Sequence, residues 1–175
     1  MSRQTPRRVA VDTNVLIDLA RPGETIHDAL DLMRRRIAGG VDVWVLPTVL
    51  QELLSLSEDR GETGERRMAG KAMDSLRTWG FKPINFMPVG HGIIERIADG
   101  ILSNGLLPPD ERNDSLIVAE AALADCTLLL SSDNHMCGID ANRLRLFLES
   151  HDAGTPLIAS PAKIVRDFFP LKKRL

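Results

Sequence analysis

Cysteine is scarce in this chain: among 175 residues only Cys126 and Cys137 carry a thiol. Their spacing fits neither a C-x-x-C pair nor a disulfide framework, which excludes a small stapled fold and a cysteine-based zinc or redox motif. Cytoplasmic residence is the default expectation. Long hydrophobic runs are missing too, and no stretch approaches the roughly 18 to 20 apolar residues of a membrane span. The basic start Met1-Ser-Arg-Gln-Thr-Pro-Arg-Arg8 is followed by an apolar run that Asp12 and Asn14 interrupt, so it makes a poor signal peptide. Nor is there an excess of charge of one sign. A formal net charge of -2 and a pI near 6.1 exclude the broad basic footprint of a protein that grips nucleic acid by charge alone. A polyanion must therefore be held locally. Tyrosine is absent altogether, without a physical consequence that can be defended.

What is present is ordinary for a globular chain, with 43% hydrophobic and 26% charged residues, which excludes disorder as a general reading. The length predicts a single domain over residues 1–175, large enough to bury most of its apolar surface without a staple. Local basic material exists at Arg34-Arg35-Arg36, at Arg66-Arg67 with Lys71, at Arg112 and at Lys172-Lys173-Arg174. Runs of this kind are more often solvated faces than phosphate contacts.

Periodicity predicts strands over 8–12, 41–46, 83–87, 127–131 and 156–159, alternating with helices over 14–20, 25–38, 48–58, 65–79, 91–104, 113–125, 140–150 and 161–169. Such alternation argues for an α/β fold whose parallel sheet is covered by helices on both faces. Pro47 suits a first helical turn, Gly39-Gly40 and Gly80 suit helix ends, and Pro108-Pro109 separates two helices. The stretch Glu58–Gly64, with two glycines and dense charge, is the weakest place in the pattern.

The most informative segment is Val9-Ala-Val-Asp-Thr-Asn-Val-Leu-Ile-Asp18, in which a β-branched run ends in Asp12 and passes straight into a helical pattern. A carboxylate there sits at the carboxyl edge of a sheet, where open α/β sheets bind ligands. The last strand-helix-strand unit can be checked by arithmetic. A helix from Asp114 to Asp125 runs roughly 18 Å down the sheet and a strand from Cys126 to Ser131 climbs roughly 20 Å back, so Asp114 and Asp133 should meet at one edge. Glu52 lies in the second turn of the helix after strand 41–46. It falls on the border of an apolar stripe formed by Val49, Leu50, Leu53, Leu54 and Leu56, with Thr48, Gln51 and Ser55 on the polar face.

Four carboxylates gathered in this way cannot all stay ionised unaided. A like-charge pair at about 4 Å costs on the order of 4 kcal/mol at an effective dielectric near 20, so protons or a divalent cation must neutralise the cluster. Oxygen ligation without Cys or His favours Mg²⁺ or Mn²⁺ over zinc, with one bound water activated for in-line attack on a phosphodiester. Each acid also has a structural alternative. Asp12 could close a turn, Glu52 could be solvated, Asp114 could cap its helix, and Asp133 could serve a turn in Ser131-Ser-Asp-Asn134.

These residues resemble a PIN-domain nuclease of the VapC-like type. Asp12-Thr-Asn-Val-Leu-Ile-Asp-Leu19 is similar to that family's opening motif, and Glu52 within Val-Leu-Gln-Glu-Leu-Leu to its second acid. Asn113-Asp114-Ser-Leu-Ile-Val-Ala-Glu is similar to the third, and Leu-Leu-Leu-Ser131-Ser-Asp133 to the fourth. The likeness runs from about residue 8 to residue 169, because Leu157-Ile-Ala-Ser-Pro-Ala-Lys-Ile-Val-Arg166 resembles the family's final strand and Ser-Pro-led helix. It implies a three-layer sandwich with a five-stranded parallel sheet and Mg²⁺- or Mn²⁺-dependent cleavage of RNA. Many bacterial members are toxins of toxin-antitoxin pairs, so it further implies an antitoxin partner and a homodimer. By position, Asp12, Glu52, Asp114 and Asp133 match the metal-binding acids, with Thr13, Asn14 and Ser131 as hydrogen-bonding support.

Extra material around 58–80 and 134–155 departs from a compact member, and a second acidic pair, Asp110-Glu111, precedes Asp114. Glu111 could supply a ligand or be a solvated loop acid, and Arg112 could meet a phosphate or pair with Asp110 or Glu111. His135 reads as a bystander and Asp18 as a surface residue. The segments 25–38 and 65–79 could offer a face to a sister subunit or an antitoxin helix, although core burial explains their apolar residues as well. Two other functions stay open. One is a non-catalytic interaction module on the same fold. The other is a phosphatase with an aspartyl nucleophile, which wants a second acid two residues on where this chain has Asn14.

Overall fold

The computed structural model describes residues 6–21, 30, 31, 33, 35, 40–58 and 64–168. In order, the elements are β1 (Arg7–Val11), α1 (Thr13–Ala20), β2 (Val41–Val45), α2 (Pro47–Glu58), α3 (Gly64–Ser75), β3 (Lys82–Pro83), α4 (Pro88–Ser103), α5 (Arg112–Leu123), β4 (Leu128–Leu130), α6 (Asn134–Cys137), α7 (Ala141–Glu149), β5 (Leu157–Ala159) and α8 (Pro161–Phe168). The helix expected over 25–38, apart from Leu30, Asp31, Met33 and Arg35, lies outside the described residues, as do 59–63, Arg34, Arg36 and the basic run at 172–174. Leu30 and Met33 are buried in the core.

The strands form one five-stranded sheet in the order β3-β2-β1-β4-β5, every neighbouring pair parallel. Helices flank it in the three-layer α/β arrangement that the alternation and the family resemblance imply. Strand β1 is central, with Val9 opposite Val43 on one side and Leu128 on the other. Val9, Ala10 and Val11 are all buried, as a parallel strand covered on both faces requires. From β1 the chain builds outward through β2 to β3, then crosses back to β4 and β5 on the other side. The carboxyl ends of β1 and β4 therefore flank the topological switch point, where the crossovers diverge and leave a crevice.

Several boundaries differ from the sequence pattern for local reasons. Strand β3 has two residues where 83–87 was expected, because Pro83 offers no N–H and Asn85 turns its side chain onto the Phe86 amide at 2.9 Å. The helix expected from 91 begins at Pro88, whose fixed φ suits a first turn. Helix α3 ends at Ser75, short of the expected 79, and a turn over 76–80 carries the chain to Gly80: at φ 71° its N–H reaches the Arg77 carbonyl at 3.0 Å while the Phe81 N–H reaches Leu76 at 2.9 Å. Helix α5 closes with the same pair of bonds, from Asp125 to Ala122 at 3.1 Å and from Cys126 to Ala121 at 3.0 Å. There the left-handed position is held by Asp125 at φ 55°. Helix α6 was not expected from periodicity. Asp133 nucleates it by accepting the Met136 amide at 2.9 Å.

Among the described residues no helix is long and apolar enough to cross a membrane. Cys126 is buried and Cys137 exposed, and neither is bonded to the other.

Candidate active site

Asp12 is the first residue past β1, and its own N–H still pairs with the Leu130 carbonyl at 2.9 Å, so the ladder carries it to the sheet edge. It also caps α1: one carboxylate oxygen accepts the Thr13 amide at 2.6 Å. The other accepts the Ser131 hydroxyl at 2.7 Å. Burial pushes the carboxyl up to about 6, against the pull of those two bonds, and the charges of Glu52 and Asp133 push the same way.

Ser131 and Asp133 follow β4 on the other side of the switch point. The Ser131 hydroxyl donates to Asp12 and accepts the Asp133 amide at 3.0 Å, so a single buried group ties two acids to one another. Asp133 caps α6 rather than serving a turn, and also faces the same pocket as Asp12. Asn14 accepts the Ser132 amide at 3.2 Å, which fastens the start of α1 to the loop after β4.

Glu52 reaches the site from α2. Its two oxygens accept the Thr13 hydroxyl and, at 2.7 Å, the Asn113 side-chain amide. Thr48, Gln51, Glu52, Ser55 and Leu56 face the pocket, while Val49 and Leu53 are buried behind them. Leu54, assigned to the apolar stripe by periodicity, is 45% exposed instead.

Asp114 does not cap its helix. Helix α5 begins at Arg112, with Glu111 before it, and Asp114 lies within the first turn. Its carboxyl is pushed up to about 7, first by burial and then by the charges of Asp12, Asp133 and Glu111.

These four acids line one pocket of about 640 Å³. Thr13 and Asn14 line it too, and so does Glu111, which pairs with His135 at 2.7 Å. That bond holds the exposed His135 imidazole above its ordinary pKa, and His135 itself is not part of the lining. Arg112 points elsewhere. Its guanidinium binds Glu95 and, at 2.6 Å, Asp99 on α4, not Asp110 or Glu111, and it does not line the pocket. Asp18, read as a surface residue, lines the pocket and pairs with Arg21 at 3.1 Å.

Sequence reasoning passed over Asn113, although it stands beside the acid that was singled out. It also passed over Glu65 of α3, which faces the pocket, and Glu120, whose signal was a lone acid in the apolar run Ile117–Ala122. Glu120 is 3% exposed and accepts hydrogen bonds from Thr48.

The donor set suits a hard divalent cation. Every potential ligand facing the pocket is an oxygen or amide group, with no His or Cys among the lining residues, and burial, helped by the neighbouring acids, already favours protonation of Asp12 and Asp114. It is not a closed cage. Among the described residues no three His, Cys, Asp or Glu groups are gathered as a ready ligand cluster. Several of the oxygens are instead occupied by hydrogen bonds from Thr13, Ser131, Asn113 and Met136.

The profile of the PIN domain matches residues 9–142. Among solved structures, VapBC2 from Rickettsia felis, bound to a DNA fragment from their promoter, superposes with a TM-score of 0.57 at 13% identity, covering 87% of this chain and 98% of that one. FitAcB from Neisseria gonorrhoeae superposes with a TM-score of 0.50 at 16% identity, covering 88% and 98%. At these identities the likeness concerns the fold. No curated protein matches the sequence.

Proposed function

Because this chain belongs to the PIN domain family, whose members are generally nucleases, we propose that it is an endoribonuclease that hydrolyses RNA phosphodiester bonds with a divalent cation, Mg²⁺ or Mn²⁺. The observation that carries the proposal is the convergence of Asp12, Glu52, Asp114 and Asp133, from four segments of the chain, on one pocket at the switch point of the sheet.

Asp12, Asp114, Asp133 and Glu52 are the residues that would hold the ion. When bound, it lowers the pKa of a coordinated water and offsets the charge that builds on the phosphoryl oxygens. The chain's own groups do the rest. Ser131 and the Thr13 amide fix the Asp12 carboxylate in one orientation, and Thr13 with Asn113 fixes Glu52. Burial and the neighbouring acids hold the Asp114 carboxyl near 7 in the metal-free protein, so holding the ion would require Asp114 to give up its proton. An acidic pocket repels a bare phosphate, so substrate and cation are expected to enter together.

The same reading extends to an antitoxin, a small inhibitory protein that would present a cation to the acidic pocket, and to a homodimer. Co-purification from a coexpressed operon and light scattering test these two partners. The test of the activity is cleavage of single-stranded and structured RNA by the purified protein in Mg²⁺ or Mn²⁺, against the chelated protein and Asp12→Asn. Metal-dependent products that vanish in the variant are expected. Identical behaviour of the two proteins removes the proposal.

One observation favours a second reading, a non-catalytic interaction module: the carboxylate oxygens are engaged within the protein rather than gathered as a ready cage. A Mn²⁺ titration separates the two, since the module predicts no saturable binding. An aspartyl-nucleophile phosphatase lacks support at the residue it needs, because Asn14 stands there and bonds a backbone amide.

A further inference from the structure

Helix α2 carries Glu52 into the site yet has no capping residue of its own. The first i to i+4 bond of the helix runs from the Leu46 carbonyl to the Leu50 amide at 3.0 Å, which makes Leu46 the residue at the cap position. Its side chain offers no acceptor, and the next residue, Pro47, has no N–H. The first unpaired donor is therefore the Thr48 amide, and Thr48 is buried. A donor left unpaired there costs about as much as a lost hydrogen bond.

That donor is satisfied from another helix. Glu120, 72 residues away on α5, accepts the Thr48 amide at 3.2 and 3.3 Å on its two oxygens and the Thr48 hydroxyl at 2.8 Å. We infer that Glu120 is a positioning residue: it caps α2 in trans and so fixes Glu52, one turn beyond Thr48, against the acids of the candidate site. This rests on the nuclease reading above for its consequence, but not for its geometry.

The placement has a physical logic. Thr48 and Glu52 are four residues apart, hence on one face of α2, and both face the pocket. A negative group at a helix N-terminus is favoured by the dipole of the backbone. Helix α5 also carries Asn113 and Asp114, so the same rigid element holds the far end of the Glu52 hydrogen bond and the cap of the helix that bears Glu52. Two contacts from α5, one at each end of a single turn of α2, leave that turn little freedom to rotate. Burial pushes the Glu120 carboxyl up to about 7 while the Thr48 bonds pull it down, so the group is kept inside at a cost that an apolar side chain would not incur.

The test compares Glu120→Leu, Glu120→Gln, Thr48→Val and the double variant Glu120→Leu/Thr48→Val with the parent protein. Three quantities are read: Mn²⁺ affinity by calorimetry, the side-chain amide resonances of Asn113, which report its bond to Glu52, and the thermal midpoint. Positioning predicts that Glu120→Leu weakens Mn²⁺ binding about tenfold, within the range for outer-shell partners, and shifts the Asn113 signals even if the midpoint rises. Glu120→Gln, which keeps an acceptor, should stay near the parent in both. Thr48→Val should weaken binding a few-fold, and the double variant should be no weaker than Glu120→Leu alone, because both remove one contact.

Parent-like Mn²⁺ affinity and Asn113 signals in Glu120→Leu overturn the inference, as do losses in the double variant that multiply. Should Glu120→Leu fail to fold, Thr48→Val decides, with unchanged Asn113 signals counting against. Absence of Mn²⁺ binding by the parent removes the nuclease reading instead, and the Asn113 signals then still judge the positioning role.

Discussion

The Ser131 hydroxyl donates to Asp12 at 2.7 Å across 119 residues of sequence, joining the end of β4 to the end of β1. Both groups are buried, and the same hydroxyl receives the Asp133 amide.

Ser131→Ala removes a bond that lowers the Asp12 carboxyl, so the Asp12 pKa should rise above its present value of about 6. Stability should fall by about 1–3 kcal/mol, since a buried acceptor and a partly buried amide lose their partner. Carboxyl NMR titration and denaturant unfolding read the two effects. A fall in the Asp12 pKa would contradict the assignment.

Three carboxyls have raised values: Asp12 to about 6, and Asp114 and Glu120 to about 7. Below their unfolded values near 4 both states hold the proton, so these groups contribute nothing. As pH rises toward 7 the folded state keeps protons that the unfolded chain has released, and stability falls; above 7 the full penalty is present. For Glu120 alone this amounts to at most about 3 kcal/mol. Without divalent ions the thermal midpoint should therefore be higher near pH 5 than at pH 8, and a bound divalent cation should flatten the difference. His135, held above its ordinary value by Glu111, acts in the same direction.

Asp114→Asn replaces a partly buried acid with a neutral isostere. At pH 8 without metal it should stabilise the fold by on the order of 1 kcal/mol, after allowance for solvent screening. Cleavage should drop by roughly a hundredfold or more, as expected for loss of a metal ligand. Equal loss of stability and activity would indicate a structural role for Asp114 instead.

Arg112→Ala distinguishes an ion pair from a phosphate contact. Its partners Glu95 and Asp99 are exposed, so the change should cost under about 1 kcal/mol. The salt dependence of RNA binding should be unchanged, whereas loss of a phosphate contact would reduce the slope by about one.

Asp125→Gly tests the end of α5. Asp125 holds φ 55° at the position where glycine is least strained, so the substitution should raise stability by about 0.5–1 kcal/mol.

Much of the site was legible because its residues mark their own elements. Asp12 ends a β-branched run, Asp133 follows the strand pattern over 127–131, and Asp114 lies in the first turn of a helix, so element lengths bring them to a common edge. Glu52 was placed by helical periodicity, which also misplaced Leu54, since periodicity fixes a face and not how much of it a neighbour covers. Arg112 was misread in its partners because a long side chain with two nearby acids in sequence found two others across a helix interface. Glu120 was passed over because a cap supplied from a different helix leaves no local pattern.

The sequence by itself determined the alternation of elements, the α/β class and the acids, because these follow from local periodicity, backbone preference and side-chain chemistry. Tertiary structure decided the strand order, the crevice between β1 and β4, and which oxygens are already hydrogen-bonded. It also decided that Glu120 holds the helix of Glu52. Those features depend on contacts between segments distant along the chain, where the reach and direction of each side chain are set by packing rather than by its neighbours in sequence.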